Sequence, residues 1–162
     1  MAGTIQASKG IVDRLVEQGV GTVFTLASEE IIPLLSEIED ERGDEITAVH
    51  CRHEQGAAAM ADGYARATDD VGVCIVGRGP AIAQTGTSLV TASRRRSKVL
   101  YLVPESRLTA AHDGKGFHQE GFLERMVGDV ESIRSPERVL PGLTDVFRRL
   151  HNGDGPIAVQ AP

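Results

Sequence analysis

Apolar residues recur along this chain at two alternating spacings. Ile5, Ser8, Ile11, Val12, Leu15 and Val16 fall at helical spacing, and Gly19 is placed to end that helix just past its cap. The short apolar run at 22–26 then reads as a first strand. Ser28 can cap a second helix, with Glu29 and Glu30 in its first turn and Ile31, Leu34, Leu35 and Ile38 forming the apolar face. After a polar connection at 40–44, the runs at 46–49 and 71–76 predict two more strands, the second apolar throughout, as a strand covered on both faces must be. Gly77-Arg78-Gly79-Pro80 predicts a turn opening a helix over 81–93, and 99–103 the next strand. Pro141, with Leu143, Val146, Phe147 and Leu150 on one face, predicts a last helix stopped at Asn152-Gly153, followed by a strand at 156–160. The least regular part, 106–121, holds Gly114, Gly116, Gly121, His112 and His118 and is expected to be a loop, with 111–121 a mobile lid. Alternation of strand and helix predicts a three-layer, doubly wound α/β fold, with a mainly parallel sheet of about six strands and helices on both faces. One domain over 1–162 is expected.

Composition narrows the class of partner. At 41% hydrophobic and 25% charged residues, the chain can bury a core without metal or disulfide staples. A net charge of −6 leaves no basic excess for nucleic acid or an anionic membrane, and Arg94-Arg95-Arg96 reads as a solvated helix end. Cys51 and Cys74 are too few for a disulfide framework and lack the spacing of a metal or redox motif. No segment has the length and apolarity of a membrane span, and Met1-Ala2-Gly3-Thr4-Ile5-Gln6 lacks the features of a signal. The expectation is a cytoplasmic protein.

The stretch Val49-His50-Cys51-Arg52-His53-Glu54-Gln55-Gly56, continuing to Ala61-Asp62-Gly63-Tyr64-Ala65-Arg66, reads as strand, turn and a helix rich in Ala and Gly. Glu54 falls in the first helical turn, where free N–H groups and the dipole favour a carboxylate, at the carboxyl edge of the expected sheet. Read from local sequence alone, it is an ordinary acidic residue of a first turn sooner than a functional one. Other chemistry finds no motif. The HExxH pattern fails because Ala57 stands one turn after His53, and neither GxGxxG, a Walker loop nor GxSxG occurs, so no metal-binding residues are assigned.

The whole stretch, from His53-Glu54-Gln55-Gly56-Ala57-Ala58 to Ala61-Asp62-Gly63-Tyr64-Ala65-Arg66, resembles the pyrimidine-binding (Pyr) domain of thiamine diphosphate enzymes of the acetolactate synthase and 2-oxoacid decarboxylase family. Gly19-Val20-Gly21-Thr22-Val23-Phe24, Gly72-Val73-Cys74-Ile75-Val76, Gly79-Pro80 and Gly155-Pro156-Ile157-Ala158-Val159 extend the resemblance. It implies that Glu54 meets N1′ of the cofactor's aminopyrimidine and drives it toward the imino tautomer, which takes the thiazolium C2 proton to give the ylid. It also implies cofactor-facing roles for Gly79, Pro80 and Gln84. Here the family's Gly-Pro-Gly is Gly79-Pro80-Ala81, and Gln84 stands in place of Asn. Glu29 matches a position where some decarboxylases carry a catalytic Asp or Ser, although helix capping explains it as well. Gln119 lies in a Phe-Gln-Glu-like segment that borders substrate in the family, while His112 and His118 fall where decarboxylases place active-site histidines; read from the residues, each is a surface histidine sooner than a proton shuttle.

Gly153-Asp154-Gly155 resembles the start of the family's diphosphate motif, but only seven residues remain after Gly155, so it is read as a turn. The implied reaction is 2-oxoacid decarboxylation or acyl-carbanion transfer. Mg²⁺ and the diphosphate would be held by a diphosphate-binding (PP) domain on a partner protein or the remainder of a longer enzyme, and a homodimer is expected for the isolated chain. The alternative is a non-catalytic Pyr-type scaffold or an unrelated small-molecule-binding α/β module.

Overall fold

The computed structural model describes residues 2–105 and 114–161, with side chains from Ala7 onward. Six strands form one sheet in the order β2-β1-β3-β4-β6-β5, every neighbouring pair parallel. They are β1 (Thr22–Leu26), β2 (Thr47–His50), β3 (Gly72–Val76), β4 (Val99–Pro104), β5 (Val130–Ser132) and β6 (Ile157–Ala161). The helices are α1 (Ala2–Glu17), α2 (Ile32–Ser36), α3 (Glu54–Thr68), α4 (Pro80–Ala83), α5 (Gly86–Arg95), α6 (Gln119–Met126) and α7 (Val139–His151). This is the three-layer, doubly wound architecture expected from the alternation of elements.

Period-two alternation along each strand divides the core. Val23, Val73, Ile75, Leu100, Leu102, Ile157 and Val159 point to one face and pack with Leu15, Leu35, Val146 and Phe147 of α1, α2 and α7. Phe24, Cys74, Val76, Tyr101 and Val103 point to the other, against Ala57, Ala58, Ala61 and Ala65 of α3, Leu89 of α5 and Leu123 of α6. Because the buried residues of α3 are alanines apart from Asp62, its axis can approach the sheet closely. Gly72 supplies matching clearance, since a Cβ there would stand 2.1 Å from the carbonyl oxygen of Ala61.

Helix ends follow their sequence signals. The N–H of Gly19 donates to Val16 and that of Val20 to Leu15, a glycine-centred stop with Gly19 at φ +78°. Gly153 repeats it after α7: its N–H reaches Leu150 and that of Asp154 reaches Arg149. The turn expected at Gly153-Asp154-Gly155 is therefore a helix stop.

Four expectations are corrected. The helix predicted over 81–93 is two helices, broken where Thr85 turns its hydroxyl onto the carbonyl of Ile82 at 2.6 Å. Ser28 stands in extended conformation before a 3₁₀ turn, Glu29–Ile31, with no side-chain cap hydrogen bond, and α2 ends in a π-turn at Glu37–Glu41. The last helix begins before Pro141, at Val139. The loop expected over 106–121 ends early, because Gln119 already opens α6; residues 106–113, His112 among them, lie outside those described.

Candidate functional site

The winding of the sheet reverses between β1 and β3. The chain passes from β1 outward to β2 and then crosses back to β3 on the other side of β1, so the loops leaving β1 and β3 diverge over the carboxyl edge. They touch at their start: a Cβ on Gly77 would stand 2.5 Å from the hydroxyl of Ser28. Ligand crevices of doubly wound sheets open at such a reversal.

Glu54 is delivered to this edge by β2. The N–H of Cys51 donates to the carbonyl of Thr25 at 2.7 Å, which keeps the chain on the sheet beyond the strand. His53 follows in extended conformation as the N-cap, its Nδ1 accepting the N–H of Gln55 at 3.1 Å. Glu54 is the first residue of α3, its side chain 19% exposed and Oε2 3.9 Å from His53 Nδ1. Ser88 of α5 donates its hydroxyl to the carbonyl of Gln55 at 3.3 Å, tying the first turns of α3 and α5 together.

The second wall is the turn after β3. Gly79 has φ +66°, and its N–H donates to Oε1 of Gln119 at 2.9 Å. Pro80, which has no N–H to satisfy, opens α4, and Gln84 caps its other end with an exposed side chain. Lys115 lies against this turn, and its ammonium donates to Glu30 at 2.5 Å, with Arg78 Nε 3.6 Å from the same oxygen. Burial opposes ionisation of Glu30, yet the hydrogen bond from Lys115, with the backbone N–H, the nearby Ser28 hydroxyl and the Lys115 charge, outweighs it and holds the carboxyl below the usual range.

The remaining candidates separate. Glu29 is exposed, while its neighbour Glu30 makes the ion pairs. His118 is exposed and is the N-cap of α6, its Nδ1 accepting the N–H of Gly121 at 3.0 Å, which leaves the proton of a neutral ring on Nε2. Gln119 is 8% exposed, with its carboxamide engaged inside the chain. The outer face of α3 carries Met60, 45% exposed, with Gly56 and Gly63, around whose missing Cβ atoms nothing lies within 4 Å among the described residues. Tyr64 turns partly inward, its ring 5.8 Å from that of Phe24.

Glu30, Arg78, Lys115 and Gln160 escaped the reading of the sequence. Gln160 alone carried a signal, as a polar residue in an otherwise apolar strand; the partners of the other three come from distant segments. Among the described residues, no cluster of three or more His, Cys, Asp or Glu side chains could hold a metal ion, and no helix is long and apolar enough to cross a membrane.

Comparison with known proteins gives one consistent family. Residues 5–129 match the model of "Thiamine pyrophosphate enzyme, N-terminal TPP binding domain". The chain is 33% identical over 161 residues to an acetolactate synthase of Arthrospira platensis, covering 94% of this chain and 27% of that protein. It is 39% identical over 142 residues to acetolactate synthase of Bacillus subtilis, covering 85% and 24%. It is 37% identical over 114 residues to a probable 2-ketoarginine decarboxylase of Pseudomonas aeruginosa, covering 70% and 20%. The chain thus spans about a quarter of the length of the curated relatives it matches.

Proposed function

The chain belongs to the thiamine pyrophosphate enzyme family, as an N-terminal TPP binding domain, and from that premise we propose that it supplies the pyrimidine side of a thiamine diphosphate site. A PP domain, on a partner chain or on the remainder of a longer enzyme, completes the site and holds Mg²⁺ and the diphosphate. The observation that carries this reading is Glu54 at the N-terminus of α3, on the edge where the sheet's winding reverses.

The residues fit one half of the cofactor. A carboxylate in the first turn of α3, a proline-capped turn at Gly79 and the open α3 face beside Gly56 offer a charged group and close backbone approach to a flat ring. When bound, the cofactor supplies the electron sink for 2-oxoacid decarboxylation or acyl-carbanion transfer. Glu54 holds and returns the proton at the ring nitrogen N1′. In this reading Gly79, Pro80 and Gln84 meet the cofactor from the turn after β3.

The exposed face of α3 is where a second copy of the chain or the PP partner packs. Gly56, Met60 and Gly63 lie on that face, and small residues there admit another helix closely. The test is calorimetric titration with thiamine diphosphate and magnesium, with and without a candidate PP protein, alongside mass by light scattering. We expect no turnover from the chain alone and tight binding only in the complex. A monomer that binds the cofactor tightly unaided, or decarboxylates a 2-oxoacid, overturns the proposal.

A further inference from the structure

A chain of hydrogen bonds runs from the Gly79 turn across the carboxyl ends of β4, β6 and β5 to Glu120 at the surface, and every bond between Gly79 and Glu120 has the same polarity. The N–H of Gly79 donates to Gln119 Oε1 at 2.9 Å. Gln119 Nε2 donates to Gln160 Oε1 at 2.7 Å and to the carbonyl of Pro104 at 3.1 Å. Gln160 Nε2 donates to Ser132 Oγ at 3.0 Å, and Ser132 donates to Glu120 Oε1 at 2.7 Å. Arg134 Nη2 meets the other Glu120 oxygen at 3.2 Å.

The direction follows from the chemistry of its ends. An ionised Glu120 can only accept, so Ser132 must donate to it and is left to accept from Gln160. Gln160 then has its oxygen toward Gln119, which must donate there. With Pro104 as a second acceptor on the same nitrogen, Gln119 has only one amide orientation that satisfies its neighbours, and that orientation aims Oε1 at Gly79. Gln160 is 2% exposed and Gln119 8%, and a reversed Gln119 amide would set its buried N–H groups against the Gly79 N–H.

We propose that this directed chain fixes the Gly79–Pro80 turn, and that Gln119 and Gln160 are positioning residues of it rather than groups that meet substrate. The consequence for cofactor binding rests on the reading of that turn as cofactor-facing.

The test uses Gln160→Met, Ser132→Ala and Ser132→Thr, three changes that leave Gly79 and Gln119 in place. Amide exchange by NMR on the chain reads the Gly79 N–H directly, and calorimetry in the complex with a PP protein reads thiamine diphosphate affinity. Gln160→Met and Ser132→Ala should each speed exchange at Gly79 about tenfold, the worth of one net hydrogen bond, while amides within β3 and β4 keep their protection. Ser132→Thr, which keeps the hydroxyl, should restore the parent rate. Cofactor affinity should fall by a similar factor in the first two variants. Should Gln160→Met fail to fold, the half-buried Ser132 carries the test. Unchanged Gly79 exchange in the folded variants overturns the inference. Faster exchange with unchanged cofactor affinity upholds the hold on the turn and overturns only its cofactor-facing reading.

Discussion

A Cβ on Gly79 would stand 2.2 Å from the carbonyl oxygen of Lys115, so the turn after β3 and the segment leading into α6 meet backbone to backbone. With φ +66° and ψ −122°, Gly79 also occupies a conformation that side chains resist. Gly79→Ala should therefore cost on the order of 1–3 kcal/mol from backbone strain alone and push residues 114–118 off the turn. Urea denaturation and amide exchange over 114–118 measure both effects. Parent stability in the variant would mean that the turn yields without strain.

Glu54→Gln tests the proposed proton exchange. In the complex with a PP protein, turnover should fall by about 10²–10⁴-fold, the range for loss of a general acid–base group, with the melting temperature of the chain unchanged. Parent-rate exchange of the thiazolium C2 proton in the variant refutes the role.

The Glu30–Lys115 pair predicts a pH dependence. The carboxyl is depressed in the folded state, so the stability it adds is present above the ordinary glutamate range and is lost as pH falls through the folded value. Glu30→Gln should lower stability at neutral pH by less than about 1 kcal/mol, because Lys115 is partly solvated. The gap between parent and variant should close in acid. A gap that persists there would show that the loss comes from packing.

Tyr101 of β4 and Asp62 of α3 each bury an oxygen that finds no hydrogen-bond partner among the described residues. These are the phenol oxygen and Asp62 Oδ1, and burial raises the phenol pKa well above its ordinary value. Tyr101→Phe keeps the ring and removes an unsatisfied donor, so stability should hold or rise by up to ~1 kcal/mol. A fall of that size would reveal a bound water.

Gly63 should respond with opposite signs to small and large replacements. Nothing among the described residues lies within 4 Å of its missing Cβ, so Gly63→Ala should stabilise the isolated chain by about 1 kcal/mol through helix propensity. Gly63→Phe should leave the chain folded yet abolish pairing with itself or a PP protein, as read by light scattering. Normal assembly of that variant would move the interface elsewhere.

The strands with dense apolar runs were legible because burial on both faces forces composition. β5 was not: Val130, Glu131 and Ser132 are half-buried at an edge, too few and too mixed for any rhythm. α6 was hidden behind glycines that read as loop. At the site, the Glu54 motif stood out because helix start, charge and small residues lie together in sequence. Gln119 was legible as a candidate, but its engagement was not, since Gln160 and Ser132 reach it from strands that only the folded sheet makes neighbours.

The strand order of the sheet also sets an order of assembly. With every pair parallel, no two neighbours can zip through a tight hairpin, and each pairing waits for a crossover to close. β6 is made after β5 yet lies between it and β4, so β5 has no neighbour in the sheet until β6 inserts. Gln160 rides on β6 and is synthesised after Gly79, Gln119, Glu120 and Ser132. The turn after β3 can therefore take its shape early in folding, but the two bonds that Gln160 adds to the chain orienting it form only when β6 inserts.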